Sequence, residues 1–450
     1  MAKSEKLGER VVAPFVSFLR KRVRLAFFAS CVLLIASACV GCGGASQVAW
    51  KALGDGSGVV VTGAKDASIE TLVIPARIGG APVVGIDVDA FYEYANLKEV
   101  ALPEGLQTIG GGAFSGCRAL EKVALPAGLQ TIDMYAFSNC SNLQEVAFPE
   151  GLQTIGEYAF NSCLALEKVS LPAGLQTIGY NAFADCSNLK EVSLPAGLQT
   201  ISFGAFNGCE ALEQVAFPEG LQTIETHAFE NCSKLQEVAL PAGLQTIGRG
   251  AFFGCRSLEK VALPEGLQTI DDDAFFDCQS LEKVALPEGL QTLGVGVFSN
   301  CSSLKEVALP AGLQTIWGGA FSGCRALEEI LIPDGVTHIA DGAFDDTIRL
   351  RGTPGSYAEK YANKNDYEFE ARTDDGDASD DEASEDGADS SAITWKLSKD
   401  GSGVVVTGAK DEDVETLVIP AQIDGLPVVE LKTAAFKNCS NLKKFRCPRG

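Results

Sequence analysis

The sequence predicts a β-rich repeat solenoid built from 23-residue coils with capping units at its ends. A 23-residue segment that begins at Ala101 recurs without gaps until Ile330, which gives ten copies. A period of this length is typical of units that stack into a solenoid. Of the 450 residues, 46% are hydrophobic, so the chain has enough apolar side chains for a core shared along the array.

Each copy repeats the same apolar positions, which one coil alone could not bury but stacked neighbours can. In the first copy they are Leu106, Ile109, Ala113, Phe114, Cys117, Leu120 and Val123. The stretch from Leu120 to Leu125 predicts a short strand that stops at Pro126, and Gly128 is expected to let the chain reverse. With strands about 4.8 Å apart, the copies predict one sheet roughly 50 Å long and a continuous row of phenylalanines from Phe114 onward.

The repeated pattern LxxIxxxAFxxCxxLxxVxLP resembles the BspA-like class of leucine-rich repeats over residues 86–350 and again near the C-terminus. The resemblance implies that residues 101–330 are ten leucine-rich repeats. It also implies a cell-surface role, since members of that class are mostly adhesins and surface interaction proteins. They bind host matrix proteins, host cells or other microbes, and the resemblance implies no particular ligand.

The two ends of the array are atypical and predict capping units. Residues 50–100 are rich in Val, Ile and Thr and are interpreted as an N-terminal cap and a first atypical coil. Residues 331–372 are interpreted as the last coil and a C-terminal cap. There Ser356 and Glu359 have the spacing of a capping box for a short helix to about Asn363, whose Tyr357 and Tyr361 are expected to cover the last coil.

The chain continues beyond this cap into a second module. Residues 373–394 are rich in Asp and Glu and contain no Lys or Arg, which predicts a disordered linker. Residues 395–431 closely repeat residues 50–86, so residues 395–450 are interpreted as a second cap and the start of another, truncated repeat array.

Residues 1–38 have the features of a signal peptide of the lipoprotein type. Seven basic residues precede an apolar run from Leu25 to Val40, which is too short to span a bilayer comfortably. Ile-Ala-Ser-Ala followed by Cys39 resembles a bacterial lipobox and implies a lipid anchor on Cys39, with Cys42 as the alternative. The other interpretation is ordinary secretion after cleavage at Ala38. We therefore expect an exported protein at the cell surface, either lipid-anchored at its N-terminus or secreted.

Charge and residue usage argue against several functional classes. The chain has 36 basic and 59 acidic residues, a net charge of -23, which repels nucleic-acid phosphates, so no nucleic-acid partner is expected. Its two histidines, His227 and His338, lie nearly five coils apart, so they cannot share a catalytic site. We expect no enzyme, no cofactor and no metal site. Asp271 to Asp273 form an acidic cluster, for which a solvated turn is favoured over a calcium site.

One cysteine recurs in each of the ten copies, from Cys117 to Cys324. Cysteine at this position is expected to pack inward as a small hydrophobe. Disulfides between neighbouring coils are the alternative, because export favours them and stacked positions lie about 5 Å apart. The expected role of these cysteines is in the core.

The copies differ chiefly in three consecutive residues, which lie between the repeated Ile and the repeated Ala-Phe pair. These three residues are called the variable triplets. Because the positions around them hardly change from copy to copy, their side chains should point outward, and exposed aromatics and arginine supply binding hot spots. The candidate partner-binding residues are Tyr135, Tyr158, Tyr180, Phe203, Arg249 and Trp317. Two alternatives stay open: unconstrained drift of the triplets, and binding by the charged strand row that includes Glu121 and Lys122.

These observations predict a cell-surface leucine-rich-repeat binding protein, an adhesin for host matrix proteins, host cells or other microbes. The alternative is a structural coat or decoy protein whose near-identical repeats recombine and vary in number without a dedicated ligand.

Overall fold

A computed structural model describes residues 47–372 and, after them, six strands within residues 393–446. The described residues up to Arg372 form one compact unit, and those after Thr373 belong to a second. The predicted signal peptide, Cys39, Cys42 and residues 373–392 of the predicted linker lie outside the described residues.

Five strands form the N-terminal cap. They are β1 (Val48–Ala52), β2 (Val59–Ala64), β3 (Thr71–Val73), β4 (Arg77–Ile78) and β5 (Ala81–Ile86). β1 pairs antiparallel with β2, β2 runs parallel to β5, and β4 pairs antiparallel with β5. β1 begins two residues before the predicted boundary. Tyr94, which stands in the first coil where later coils have cysteine, donates its hydroxyl proton to the carbonyl oxygen of Ala64 at 3.1 Å, so the first coil is tied to the cap.

Each coil contributes two short strands, whereas the sequence predicted one. The predicted strand is present on one face, with its central residue buried in nearly every coil and its flanking residues mostly exposed. These three-residue strands are β6 (Glu99–Ala101), β8 (Lys122–Ala124), β10 (Glu145–Ala147), β12 (Lys168–Ser170), β14 (Glu191–Ser193), β16 (Gln214–Ala216), β18 (Glu237–Ala239), β20 (Lys260–Ala262), β22 (Lys283–Ala285), β24 (Glu306–Ala308) and β26 (Glu329–Leu331).

A second, two-residue strand follows the Pro-containing turn of each coil. These strands are β7 (Thr108–Ile109), β9 (Thr131–Ile132), β11 (Thr154–Ile155), β13 (Thr177–Ile178), β15 (Thr200–Ile201), β17 (Thr223–Ile224), β19 (Thr246–Ile247), β21 (Thr269–Ile270), β23 (Thr292–Leu293), β25 (Thr315–Ile316) and β27 (His338–Ile339). Pairing along both faces is parallel, with each residue opposite its equivalent one repeat later. The variable triplet comes directly after this second strand.

The single continuous sheet predicted from the repeat is wrong. On the three-residue face, one sheet runs from β3 to β16 and a second from β18 to β24. On the two-residue face, β13 does not pair with β15, and β21 does not pair with β23. At the first of these breaks the hydroxyl of Ser202 donates to the carbonyl oxygen of Ile178 at 2.7 Å, where other coils use a backbone N–H. A side-chain hydrogen bond thus replaces one of the backbone hydrogen bonds between neighbouring coils.

The core is the predicted row of phenylalanines. Rings from Phe91 to Phe344 stack one per coil, with centroids 5.2–5.7 Å apart, and the continuous aromatic row is confirmed. Gly128 lies in the predicted turn, which the N–H of Leu129 closes by donating to the carbonyl oxygen of Pro126 at 3.1 Å. A Cβ there would lie 2.8 Å from the carbonyl oxygen of Glu104, so glycine is needed because neighbouring coils approach closely.

The last coil is followed by a strand, a short helix and a second strand. After β28 (Arg349–Gly352), Ser356 caps helix α1 (Tyr357–Lys364) and its side chain accepts a hydrogen bond from the backbone N–H of Glu359. Strand β29 (Glu368–Ala371) then pairs with β28. Tyr361 is buried and donates to the carbonyl oxygen of Ala340 at 3.1 Å. Tyr367, which the sequence did not single out, makes the equivalent bond to Phe344. These contacts close the last coil.

The second unit repeats the strand pairing of the N-terminal cap. Its strands are β30 (Ile393–Leu397), β31 (Val404–Ala409), β32 (Thr416–Val418), β33 (Gln422–Ile423), β34 (Leu426–Leu431) and β35 (Lys444–Arg446). β30 pairs antiparallel with β31, and β31 runs parallel to β34, as β1, β2 and β5 do. β30 begins two residues before the predicted boundary at Trp395.

Candidate functional site

The variable triplets form one edge of the stack, and their backbone is less free than the sequence suggested. The third residue of every triplet has a positive φ, between 52° and 70°. Glycine, Asn and Asp tolerate this left-handed conformation, whereas bulkier side chains rarely adopt it. The residues at this position are Asp89, Gly112, Tyr135, Tyr158, Asn181, Gly204, His227, Gly250, Asp273, Gly296, Gly319 and Gly342. The second residue of the triplet carries no such restriction.

Four of the six predicted binding residues lie together on consecutive coils and are called here the aromatic edge: Tyr135, Tyr158, Tyr180 and Phe203. The rings of Tyr135 and Tyr158 stack with centroids 4.9 Å apart and planes within 6°. Tyr180 and Phe203 meet edge to face at 6.2 Å. Tyr180 is 50% exposed and Phe203 39%, so large apolar side chains stand in solvent next to one another.

A shallow groove of about 600 Å³ runs beside the aromatic edge. Tyr158, Tyr180 and Phe203 line it on the aromatic side. Three carboxylates also line it, those of Glu157, Glu225 and Asp271. The Glu225 carboxylate accepts a hydrogen bond from the backbone N–H of Phe203 at 2.7 Å, which holds the backbone of that coil. No lysine or arginine is among the described residues that line the groove.

Sequence reasoning missed the carboxylates of this groove, because it ranked exposed aromatics and arginine as hot spots. Glu157 and Glu225 belong to the triplets that contain Tyr158 and His227. Since consecutive triplets must stack, their spacing could have indicated that acid and aromatic side chains adjoin.

The other two predicted residues lie elsewhere along the same edge. Arg249 is exposed, and its guanidinium lies 3.4 Å from the carboxylate of Asp273. Trp317 is 44% exposed and packs edge to face with His338 at 5.4 Å. It stands five coils from Phe203, roughly 24 Å at the usual strand spacing. The structure therefore does not bring Trp317 into contact with the aromatic edge.

The charged strand row, which is the alternative binding surface, contains ion pairs between neighbouring coils. Lys168 lies 2.8 Å from Glu191, and Lys283 lies 2.7 Å from Glu306, with all four side chains largely exposed. Exposed pairs of this kind contribute little to stability and are screened by salt. Several charges of this face pair with one another, whereas the three carboxylates that line the groove are in no ion pair with another described residue.

The repeat cysteines are core residues, as predicted. All ten are buried and unpaired in the structure. Each thiol donates to a phenylalanine carbonyl of the preceding coil, as Cys186 does to Phe160 at 3.3 Å. Burial raises the pKa of Cys117, Cys186 and Cys324 to about 12. At neutral pH these thiols are protonated and cannot act as nucleophiles.

The acidic cluster hydrogen-bonds backbone groups. Asp272 accepts from the N–H of Val295 at 2.7 Å, and Asp271 accepts from the N–H of Asp272 at 3.0 Å. Of the histidines, His338 is exposed and His227 is half-buried, with its Nδ1 3.1 Å from the carboxylate of Glu230. Within the described residues, no group of three or more His, Cys, Asp or Glu side chains could hold a metal ion. No helix in the same part of the chain is both long and apolar enough to cross a bilayer.

Comparison with known proteins adds a family match. The family described as the BspA type leucine rich repeat region (6 copies) matches residues 65–189, 111–236, 153–261 and 226–351. No curated protein matches the chain.

Several solved structures are similar to the chain. A leucine-rich repeat protein from Bacteroides ovatus is 24% identical, with a TM-score of 0.57, over 73% of this chain and 98% of that one. A leucine rich repeat protein of T. pallidum is 35% identical, with a TM-score of 0.41, over 42% and 88%. A leucine rich cell surface protein from Faecalibacterium prausnitzii is 22% identical, with a TM-score of 0.45, over 73% and 94%. The likeness to the Bacteroides ovatus protein shows the fold.

Proposed function

Because the chain belongs to the BspA-type leucine-rich-repeat family, we propose that it is an exported cell-surface protein that binds other proteins through its aromatic edge. In its most concrete form the proposal is an adhesin for host matrix proteins, host cells or other microbes. The protein has no catalytic role in this proposal, and its repeats act as a rigid scaffold for the binding surface.

The observation that carries the proposal is the aromatic edge itself. Positions around it repeat almost unchanged, whereas the triplets of four consecutive coils each carry one aromatic residue that remains partly in solvent: Tyr135, Tyr158, Tyr180 and Phe203. Scattered exposed apolar residues are normal, but contiguous ones mark interaction sites. Tyrosine supplies large contact area at low entropic cost, so this surface suits protein recognition.

Saturable binding of the full chain to immobilised matrix proteins and to host cells tests the proposal. The matched variants are Tyr180→Ala, within the aromatic edge, and Trp317→Ala, an exposed aromatic on the same edge outside it. We expect Tyr180→Ala to weaken binding about tenfold, the effect of a hot-spot residue, and Trp317→Ala to leave it unchanged. If the full chain shows saturable binding to none of the matrix proteins or cells, the proposal of an adhesin is refuted.

Attachment at the cell surface is proposed to occur through a lipid on Cys39, with Cys42 as the alternative. The support is the sequence of small residues before Cys39 after a basic and apolar segment. Two or more acyl chains would anchor the protein stably. Palmitate labelling should disappear in Cys39→Ala and persist in Cys42→Ala. The reverse pattern would place the lipid on Cys42. An unlabelled wild type would instead indicate ordinary secretion without a lipid anchor.

The near identity of the ten copies supports a second candidate function, a coat or decoy protein without a dedicated ligand. Near-identical repeats can recombine and change in number while each coil still stacks on its neighbour. Variation of repeat number between strains, together with equal behaviour of wild type and Tyr180→Ala in every binding assay, would favour this function.

A further inference from the structure

The groove beside the aromatic edge combines aromatic rings with carboxylates in a way that selects the chemistry of a ligand. Tyr158, Tyr180 and Phe203 offer ring surfaces, and Glu157, Glu225 and Asp271 offer negative charge along the same groove. We propose that this groove binds an extended protein segment that carries lysine or arginine side chains. The inference rests on the proposed function, because it names the class of partner that the same edge recognises.

The charge of the groove favours a cationic segment. Glu157 is exposed, and its carboxylate makes no hydrogen bond or ion pair with another described residue. The closest basic residue on the edge is Arg249, which belongs to the triplet after the one containing Glu225 and is held by Asp273 at 3.4 Å. The described residues that line the groove therefore include three carboxylates and no lysine or arginine, within a chain of net charge -23. Complementary charge speeds association and disfavours acidic partners.

The aromatic rings of the groove also favour a basic side chain. A lysine ammonium or an arginine guanidinium is attracted to the face of a tyrosine or phenylalanine ring within about 6 Å of its centre. Tyr158 stacks with Tyr135, and Tyr180 meets Phe203 edge to face, and three of these four rings line the groove. An aliphatic side chain would use the rings alone, but a basic side chain uses the rings and the carboxylates together.

The length of the groove favours an extended segment. The groove extends over five coil steps from Glu157 to Asp271, roughly 24 Å at the usual strand spacing. An extended chain advances about 3.3 Å per residue, so about seven residues fill it. The groove is open and shallow, which suits a strand-like segment better than a small molecule that must be enclosed.

Fluorescence anisotropy with labelled heptapeptides tests the inference on the full chain. The probes alternate Gly or Ser with Lys, with Arg, or with Glu at the same positions. At roughly physiological ionic strength, about 0.15 M, we expect saturable binding of the Lys and Arg peptides, weaker binding as salt is raised, and none of the Glu peptide. Equal binding of the Lys and Glu peptides, or of neither, would overturn the inference.

Three variants locate the binding. Tyr180→Ala should raise the Kd for the Lys peptide about tenfold. Glu157→Gln keeps the shape of the side chain and should raise it about threefold, the range of one exposed charge pair. Trp317→Ala is the matched control and should have no effect. Circular dichroism confirms that each variant is folded. If Tyr180→Ala and Trp317→Ala behave alike, the peptide does not lie in this groove.

The result of the peptide-binding test can be distinguished from the result of the test of the proposed function. If the full chain binds matrix proteins but the Lys peptide does not compete and Glu157→Gln has no effect, the inference fails and the proposed function stands. If a neutral oligosaccharide competes and charge has no influence, the groove recognises a sugar and the inference also fails. If the Lys peptide binds in the groove but no matrix protein or cell does, the inference stands and the adhesin fails.

Discussion

Replacing Cys186 with alanine should destabilise the protein at neutral pH but have almost no effect on its stability near pH 10. The Cys186 side chain is fully buried, and its thiol donates to the carbonyl oxygen of Phe160 at 3.3 Å. At neutral pH we expect the variant to unfold more easily by about 1.5 kcal/mol, since a buried sulfur is removed and a small cavity is left.

The alkaline effect follows from the pKa of this thiol. Burial raises the pKa of Cys186 to about 12 from an ordinary value of 9.0. Between these values the unfolded chain loses the proton and the folded chain keeps it, so the free energy of unfolding falls as pH rises. The stability tied to this group is complete below pH 9.0 and declines through the folded pKa. At about pH 10 the loss is about 1.4 kcal/mol, which matches the cost of the substitution.

Urea unfolding followed by circular dichroism, under reducing conditions, measures the difference between wild type and Cys186→Ala. That difference should fall from about 1.5 kcal/mol at neutral pH to about zero near pH 10. Val192→Ala, a buried substitution in the same coil without a titratable group, controls for other groups that ionise in base, and its cost should not depend on pH. A Cys186→Ala difference that stays constant with pH would refute the reasoning.

Two further substitutions test the packing of the coils. Phe229 is fully buried and stacks at 5.5 Å on both neighbouring rings, so Phe229→Ala should cost about 3–5 kcal/mol in urea unfolding, whereas the exposed Phe203→Ala should cost under about 1 kcal/mol. A Cβ on Gly179 would lie 2.4 Å from the backbone nitrogen of Glu157, so Gly179→Ala should lower the melting temperature and cost about 1–3 kcal/mol. Gly197→Ala meets nothing within 4 Å and is its control; equal costs for the two glycines would contradict the close approach of the coils.

The coil and its core could be predicted because every copy places the same apolar residues at the same positions. A pattern repeated ten times leaves one consistent way to bury Phe114, Cys117 and Leu120 and their equivalents. The capping helix was predictable for a local reason, since Ser356 and Glu359 carry the capping spacing within a few residues of each other.

The second strand of each coil could not be predicted from its own residues. Thr131 and Ile132 are too few to show an alternating pattern. Their strand exists because the backbone N–H groups of Gln130 and Thr131 bond to the carbonyl oxygen of Gln107 in the preceding coil, at 2.9 and 3.2 Å. Such a strand is a property of the stack.

The breaks in the sheets also could not be predicted from the sequence. The segments 175–178 and 198–201 both read LQTI, as paired segments elsewhere do, yet β13 and β15 do not pair. Identical local sequences therefore occur in paired and unpaired strands. What differs is the triplet that follows, in which Ser202 bonds through its hydroxyl to Ile178, and this contact requires the neighbouring coil.

The backbone of the triplets also bears on whether the aromatic edge arose by drift. Tyr180 and Phe203 occupy second positions, where any side chain fits without strain, so drift could place them there. Tyr135 and Tyr158 occupy third positions at φ 56° and 55°, which costs a bulky residue about 1 kcal/mol or more relative to glycine. Their stacked rings, with centroids 4.9 Å apart, stabilise the fold by about 0.5–1.5 kcal/mol, but only when both tyrosines are present. A single tyrosine at either position would bear the strain alone, so stability does not explain how the pair was acquired, which is consistent with the binding role proposed for the aromatic edge.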